Sequence, residues 1–175
     1  MLQPTAIVLH GPTSAGKTTL AKALQATSPV PAFHISLDAL VTMSNRGEMR
    51  SDEERAAVYK LHCANLRSTL ARIALTEFDI ILDLVLRDET ELQACLTVLS
   101  GRLTYVVGVS APLHVLEARE RVRPDRASGV AREQIAEPVY KRQYDLMLDT
   151  SITTPEAGAA AVRKLMGERS RLPTA

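Results

Sequence analysis

The stretch Gly11-Pro12-Thr13-Ser14-Ala15-Gly16-Lys17-Thr18 matches the phosphate-binding pattern G-x-x-x-x-G-K-[ST] at every position. Before it, Ala6–Leu9 is a short apolar run typical of a buried strand. After it, Leu20–Leu24 has the apolar spacing of a helix. The alternative is a glycine-rich turn that merely joins a strand to a helix, but chance rarely supplies the pattern and this context together. The stretch therefore predicts a nucleotide site.

The residue types of this loop suit a phosphate chain. Glycine lets backbone N–H groups turn inward, and the following helix directs the positive end of its dipole at the same anion. Lys17 is predicted to reach the β- and γ-phosphates, and the Thr18 hydroxyl to bind the accompanying Mg²⁺. The loop residues predicted to contact the nucleotide are Gly11, Thr13, Ser14, Ala15, Gly16, Lys17, Thr18 and Thr19.

Short apolar runs alternate with helical segments along the chain. This alternation predicts an α/β fold in which a parallel sheet of five strands is flanked by helices. The predicted strands are Ala6–Leu9, Ala32–Ser36, Asp79–Leu84, Leu103–Val109 and Leu146–Asp149.

Capping signals mark where several helices begin. Ser51 precedes the longest predicted helix, which covers about residues 52–76. Asp88 and Glu91 form a variant of the capping box for the next helix. Pro155 suits the first position of the last helix, because its missing N–H needs no partner there.

Length and composition limit the classes of function. The 175 residues suit one domain, predicted over residues 1–167, with residues 168–175 as a flexible tail. The 21 basic and 20 acidic residues leave a net charge of +1, which gives no overall electrostatic reason to bind nucleic acid or a membrane. Because the sequence has neither a bilayer-spanning apolar run nor a signal-peptide pattern, we expect a cytoplasmic protein.

Two carboxylates follow predicted strands, where ligands of open α/β sheets gather. Asp83 lies where an acidic group would be needed near Mg²⁺, although a strand-end Asp can instead cap a neighbouring loop. Asp38 follows the second strand and could accept the proton of an acceptor hydroxyl while orienting it toward the γ-phosphate. It could equally cap a short helix that starts at Ala39, and spacing alone does not decide.

Residues 119–130 are rich in arginine and are interrupted by a proline. They predict a mobile basic lid whose arginines neutralise charge on the transferred group and whose closure excludes water. Arg119 and Arg123 are predicted to contact the nucleotide. The alternative is a solvated helix face on which Glu117 and Glu120 pair with arginines.

The histidines show no spacing typical of metal ligands, and no serine has the partners of a catalytic triad. We therefore predict that the histidines are structural or face solvent. They are His10, His34, His62 and His114.

Taken in order, these residues resemble the chloramphenicol 3-O-phosphotransferase-like kinases of the P-loop nucleoside-kinase fold. The resemblance covers most of the chain and is carried by residues 11–18, Asp38, Asp83 and residues 119–126. This ordered set is more specific than the phosphate loop alone. Further residues at the family's spacing are Gly129, Gln134, Tyr144-Asp145 and Asp149-Thr150.

The resemblance implies a three-layer fold and a kinase that uses ATP and Mg²⁺ to phosphorylate a hydroxyl of a small-molecule acceptor, with antibiotics among the candidates. It implies that Asp38 is the general base and that Lys17 and Thr18 serve ATP and Mg²⁺. It also implies that Arg123 and Arg126 are catalytic arginines of the lid. A homo-oligomer is suggested by the family only.

The chain departs from the family's pattern on the acceptor side. The family has two adjacent acidic residues where this chain has Asp83-Leu84, and a histidine near the position of Val139. The region between Asp38 and the third strand is also shorter. Two alternatives stay open: a kinase for another metabolite, such as a sugar acid or a nucleotide-sugar, and a nucleotide-dependent switch without acceptor chemistry.

Overall fold

The computed structural model describes residues 4–86, 88–122 and 129–169. Its sheet contains five parallel strands, as predicted, and across the sheet they follow the order Ala32–Ser36, Asp79–Leu84, Thr5–His10, Leu103–Ser110 and Leu146–Asp149. The strands are β1 (Thr5–His10), β2 (Ala32–Ser36), β3 (Asp79–Leu84), β4 (Leu103–Ser110) and β5 (Leu146–Asp149). All five predicted strands are confirmed, and only β1 and β4 are slightly longer than their apolar runs indicated.

Helices connect the strands and cover both faces of the sheet. They are α1 (Lys17–Ala26), α2 (Leu37–Val41), α3 (Asp52–Ala74), α4 (Glu89–Val98), α5 (Leu113–Arg121), α6 (Val130–Ala136) and α7 (Pro155–Arg169), with short 3-10 turns at Arg46–Glu48 and Pro138–Lys141. Within the described residues, no helix combines the length and the apolar content needed to cross a membrane.

The capping predictions are confirmed in part. The Ser51 hydroxyl accepts a hydrogen bond from the backbone N–H of Glu54 at 3.2 Å, so it caps α3 as expected. The Asp88 carboxylate caps α4 by accepting the N–H of Thr90 at 2.8 Å. The reciprocal half of the predicted capping box is wrong, because the Glu91 carboxylate pairs with Arg67 of α3 instead. An ion pair between neighbouring helices replaces the local contact.

Successive residues of each strand face opposite sides of the sheet, and each side has its own apolar cluster. In β1, Ala6 and Val8 belong to one cluster, while Ile7 and Leu9 belong to the other. The first cluster is completed by residues of α3 and α4 that include Leu66, Leu70, Leu92 and Cys95. The second is completed by residues of α1, α5 and α7 that include Leu20, Leu24, Leu116 and Val162. Full burial of each such leucine or valine contributes about 1.5–3 kcal/mol, so both helical layers are held by the hydrophobic effect.

The strand order brings the candidate residues to one edge of the sheet. Asp83 pairs with Leu9 of β1 on one side and with Ser36 of β2 on the other. The carboxyl ends of these strands therefore lie side by side, and the loops that leave them emerge together. Strands β2 and β3 lie on one side of β1, and β4 and β5 lie on the other, so the strand order reverses at β1. Open α/β sheets bind ligands in the crevice at such a reversal.

Candidate active site

The phosphate loop leaves β1 through a turn that requires glycine. A Cβ atom on Gly11 would lie 1.9 Å from the backbone oxygen of Val109 in β4, closer than any contact a side chain tolerates. Gly16, which precedes α1, has φ +90°, in the left-handed region that favours glycine. Ser14 also lies at positive φ, at 60°. The backbone therefore requires glycine at positions 11 and 16, the two glycine positions of the sequence pattern.

Protein groups outside the loop bind its carbonyl oxygens. The Ser14 oxygen accepts a hydrogen bond from Arg119 Nη1 at 3.2 Å, and the Ala15 oxygen accepts one from Thr150 Oγ1 at 2.8 Å. In a trans peptide the next N–H points the opposite way from the carbonyl. The outward carbonyls thus turn the N–H groups of Ala15 and Gly16 toward the inside of the loop, where an anion would bind.

Arg119 and Thr150 bind each other as well as the loop. Arg119 Nη1 donates to Thr150 Oγ1 at 2.9 Å, and Nη2 donates to the Thr150 backbone oxygen at 2.9 Å. The backbone N–H of Thr150 donates to Ser110 of β4 at 2.8 Å. Sequence reasoning missed the role of Thr150, for which the only signal was its position at the family's spacing. Arg119 lies within α5, next to the loop.

Lys17 and Thr18 begin α1 and face the predicted donor site. Lys17 Nζ donates to the backbone oxygen of Pro12 at 2.7 Å, so the ammonium group stays beside the loop. Thr18 Oγ1 donates to Asp83 Oδ2 at 2.7 Å. Asp83 therefore contacts the threonine predicted to bind Mg²⁺.

The carboxylate of Asp83 is buried but stays charged. Burial by itself raises its pKa, but the interaction with His34, the charge of Lys17 and the Thr18 hydrogen bond together bring the pKa below its usual value. His34 Nε2 lies 3.6 Å from Asp83 Oδ2, an ion-pair distance too long for a hydrogen bond. The prediction for the histidines did not include this contact with Asp83. The contact arises from the pairing of β2 with β3, which places His34 beside Asp83.

The oxygen atoms of Thr18 and Asp83 suit Mg²⁺. Both are hard donors, they lie 2.7 Å apart, and they stand at the start of the helix that follows the phosphate loop. Mg²⁺ in such sites takes few protein ligands and uses phosphate oxygens and water for the others. The described residues contain no cluster of three or more acidic, histidine or cysteine side chains that could hold a metal.

Asp38 lies in the first turn of α2, as its second residue. A capping residue stands before the first helical residue, and here that position belongs to Ser36. The alternative in which Asp38 caps a helix beginning at Ala39 is therefore wrong. Asp38 lines a cavity of about 610 Å³ together with the phosphate loop and Val85.

Residues 123–128 lie outside the described residues, and with them the predicted catalytic residues Arg123 and Arg126. Of the two acidic residues considered above, Glu117 pairs with the exposed Arg132 of α6, but Glu120 does not belong to a solvated face. Glu120 is only 2% exposed and accepts the backbone N–H groups of Gly129 at 3.2 Å and Ala131 at 2.7 Å. Its carboxylate thereby joins α5 to the first turn of α6.

His10, the last residue of β1, belongs to a buried polar network. Its Nε2 lies 3.0 Å from the Leu86 carbonyl oxygen and its Nδ1 lies 2.9 Å from the Tyr144 hydroxyl. Since a carbonyl can only accept, Nε2 carries the proton and Nδ1 accepts from Tyr144. Burial lowers the pKa of His10 to about 4, which keeps the ring neutral at pH 7. The ring also stacks on Tyr140 with centroids 4.7 Å apart.

The chloramphenicol phosphotransferase-like protein family matches residues 5–167. The chain belongs to this family. The resemblance carried by the phosphate loop, Asp38 and Asp83 is thus confirmed at the level of the family. No curated protein matches the chain in sequence.

Solved structures of P-loop kinases share the fold. The APS kinase of Mycobacterium tuberculosis in complex with AMPPNP and APS has a TM-score of 0.69 and 17% identity, and the match covers 95% of this chain and 99% of that one. Shikimate kinase from Acinetobacter baumannii in complex with shikimate has a TM-score of 0.71 and 15% identity, with 97% and 96% covered. The tunicamycin resistance protein of Deinococcus radiodurans has a TM-score of 0.66 and 18% identity, with 94% and 96% covered. Family and fold together support a small-molecule kinase.

The positions at which this chain departs from the family's pattern lie together in the structure. Leu84 and Val139 are 0% and 4% exposed and belong to the same apolar cluster, on the face covered by α3 and α4. Leu86, two residues after Leu84, is also part of this cluster. Apolar packing therefore occupies positions where the family has charged or polar groups.

Proposed function

We propose that this chain transfers the γ-phosphoryl group of ATP to a hydroxyl group of a small molecule. The observation that carries the proposal is the shared cavity of about 610 Å³, which the phosphate loop and Asp38 line together. Asp83 contacts the threonine proposed to hold Mg²⁺, so Asp38 is a second carboxylate at this site, and phosphoryl transfer to a hydroxyl gives it a role as base. The proposal also agrees with the family and with the kinase fold.

In the proposed reaction, Asp38 accepts the proton of the acceptor hydroxyl as the hydroxyl oxygen forms its bond to the γ-phosphorus. The bond between the γ-phosphorus and the bridging oxygen breaks, and ADP leaves. Lys17 keeps one hydrogen bond to the Pro12 carbonyl oxygen and directs its remaining N–H donors at the phosphates, where its charge offsets the charge that develops in transfer. The N–H groups within the loop hold the phosphate chain in line with the acceptor.

Thr18 and Asp83 would hold the Mg²⁺ that accompanies ATP, Asp83 directly or through water. When bound, the ion neutralises charge on the β- and γ-phosphates. The predicted nucleotide contacts of Gly11, Thr13, Ser14, Ala15, Gly16 and Thr19 complete the proposed donor site. Arg119 is proposed as a further nucleotide contact, since it lines the same cavity. For Arg123 and Arg126 the catalytic role rests on the family resemblance alone.

The proposed acceptor is a hydroxylated antibiotic or another small metabolite. The structures of similar fold include kinases bound to APS and to shikimate, and a tunicamycin resistance protein. The apolar residues Leu84 and Val139 replace polar groups of the family's pattern, so the proposal does not extend to chloramphenicol itself.

The test is a screen of hydroxylated antibiotics and metabolites with MgATP, in which ADP formation and the mass of the product are measured. We expect ADP release to depend on one class of acceptor, and the product to gain the mass of one phosphoryl group. The matched control is the same compound with the reactive hydroxyl methylated. Nucleotide binding or slow hydrolysis that is indifferent to every hydroxyl compound would instead identify a nucleotide-dependent switch.

A further inference from the structure

One peptide group of the phosphate loop is bound from both sides. Its N–H belongs to Thr13 and donates to Gln134 Oε1 at 2.6 Å. Its carbonyl belongs to Pro12 and accepts from Lys17 Nζ at 2.7 Å. Because a peptide group is planar, the two hydrogen bonds fix the orientation of one rigid unit. Gln134 and Lys17 are each 5% exposed, so water does not readily replace either partner.

We propose that Gln134 is a positioning residue that sets the location of the Lys17 ammonium group through the peptide between Pro12 and Thr13. The proposal rests on the proposed donor site, of which Lys17 is a part. Thr13 is 1% exposed, and a buried N–H deprived of its acceptor costs about 1–3 kcal/mol. Without Gln134, the N–H loses the acceptor that orients this peptide, and a rotation of the peptide toward another acceptor would carry the Pro12 oxygen away from Lys17.

Gln134 also ties the loop to the helices that flank the arginine-rich segment. It belongs to α6, whose first turn is held by the Glu120 carboxylate of α5. Arg119, beside Glu120, donates to the Ser14 oxygen. Successive loop residues are therefore bound by the helix before residues 123–128 and by the helix after them. A displacement of α6 is transmitted through Gln134 to the peptide that holds Lys17.

The first experiment compares Gln134→Met with the wild-type protein. Methionine keeps the length and bulk of glutamine but accepts no comparable hydrogen bond. Isothermal titration with MgADP and with MgATP should give roughly tenfold weaker binding for Q134M, because the loop no longer holds Lys17 in place. Glu133→Met, on the exposed side of the same helix, is the matched control and should bind both nucleotides like the wild type. Should Q134M fail to fold, Gln134→Asn takes its place. Asparagine keeps the amide but is one methylene shorter, so it no longer reaches the Thr13 N–H and should weaken nucleotide binding in the same way.

A double-mutant cycle separates positioning of Lys17 from a general role in folding. In a Lys17→Met background, the Gln134 substitution should weaken MgADP binding by less than about twofold, because the group that it positions is already gone. An equal loss in both backgrounds would overturn the proposal, as would a Q134M protein that binds like the wild type. A wild-type protein that binds neither MgADP nor MgATP would contradict the donor site itself, so the two failures are distinguishable.

Discussion

The two halves of the proposed site, the phosphate loop and the segment after Asp38, are held by different hydrogen bonds. In the loop, partners come from distant parts of the chain: Gln134 is 121 residues from Thr13, and Thr150 is 135 residues from Ala15. These bonds exist only when β1, β5 and α6 have assembled. The donor half of the site is therefore a product of the whole fold.

Residues 38–50 bond mostly to their near neighbours. The Thr42 hydroxyl donates to Ala39 at 2.8 Å and the Ser44 hydroxyl to Val41 at 3.0 Å, each three residues back, while Ser44 Oγ also lies 2.8 Å from His62 Nε2 of α3. Met43, between them, is 78% exposed. Such locally bonded segments change in sequence without disturbing the sheet. The loop proposed to bind the phosphate donor thus depends on the whole fold, while the segment after Asp38 depends more on hydrogen bonds within the segment.

Removing the charge of Asp38 should give the largest effect, because it should abolish acceptor phosphorylation while leaving binding of the donor unchanged. Asp38→Asn keeps the size of the side chain but cannot accept the hydroxyl proton, so acceptor phosphorylation should fall about a thousandfold. Binding of MgATP should not change, because the donor half is intact. The measurements are product formation with the acceptor from the screen and calorimetric titration with MgATP. Turnover equal to the wild type would show that Asp38 is not the general base.

Lys17→Ala should impair the donor half instead. Loss of a cation at the γ-phosphate should slow phosphoryl transfer about a hundredfold. In contrast to Asp38→Asn, this variant should also bind MgATP more weakly. Unfolding followed by circular dichroism should remain cooperative and near the wild-type temperature. A normal rate of transfer would show that the loop is wrongly assigned.

Thr150→Val tests whether distant bonds shape the loop. Valine retains the shape but leaves the Ala15 oxygen and Arg119 without the hydroxyl, so MgADP affinity should fall roughly fivefold. Thr150→Ser, which keeps the hydroxyl, is the control and should remain close to the wild type. Equal titration curves for the valine variant would mean that the loop holds its shape without these bonds.

The last prediction concerns the stability of the fold at His10, the residue before the loop. The folded pKa of His10 is about 4, against 6.5 for an ordinary histidine. Between these values the unfolded chain binds a proton that the folded chain does not, so the free energy of unfolding decreases as pH falls from 6.5 toward 4. This decrease in the free energy of unfolding reaches about 3 kcal/mol near pH 4 and is absent above pH 7. Urea unfolding at several pH values should show a shallower pH dependence for His10→Gln than for the wild type; identical slopes would contradict the assignment.

Much of this fold could be predicted because its signals are local. Strand β3 is apolar on both faces, and the Ser51 cap depends on the N–H three residues later. The interaction of Glu91 could not be predicted in this way, since its partner Arg67 belongs to another helix. The sequence also left Asp38 undecided between base and cap; the start of α2 at Leu37 excludes the cap of a helix beginning at Ala39, and the role of base stays a proposal.

The sequence by itself determined the donor loop, because the steric needs of Gly11 and Gly16 and the chemistry of Lys17 and Thr18 are properties of neighbouring residues. Only the tertiary structure decided which groups bind that loop from outside. Gln134 and Thr150 reach it from α6 and from the end of β5, and no local pattern encodes contacts across more than a hundred residues. The physical reason is that backbone conformation depends on near neighbours, whereas the partners of buried polar groups depend on how the layers pack.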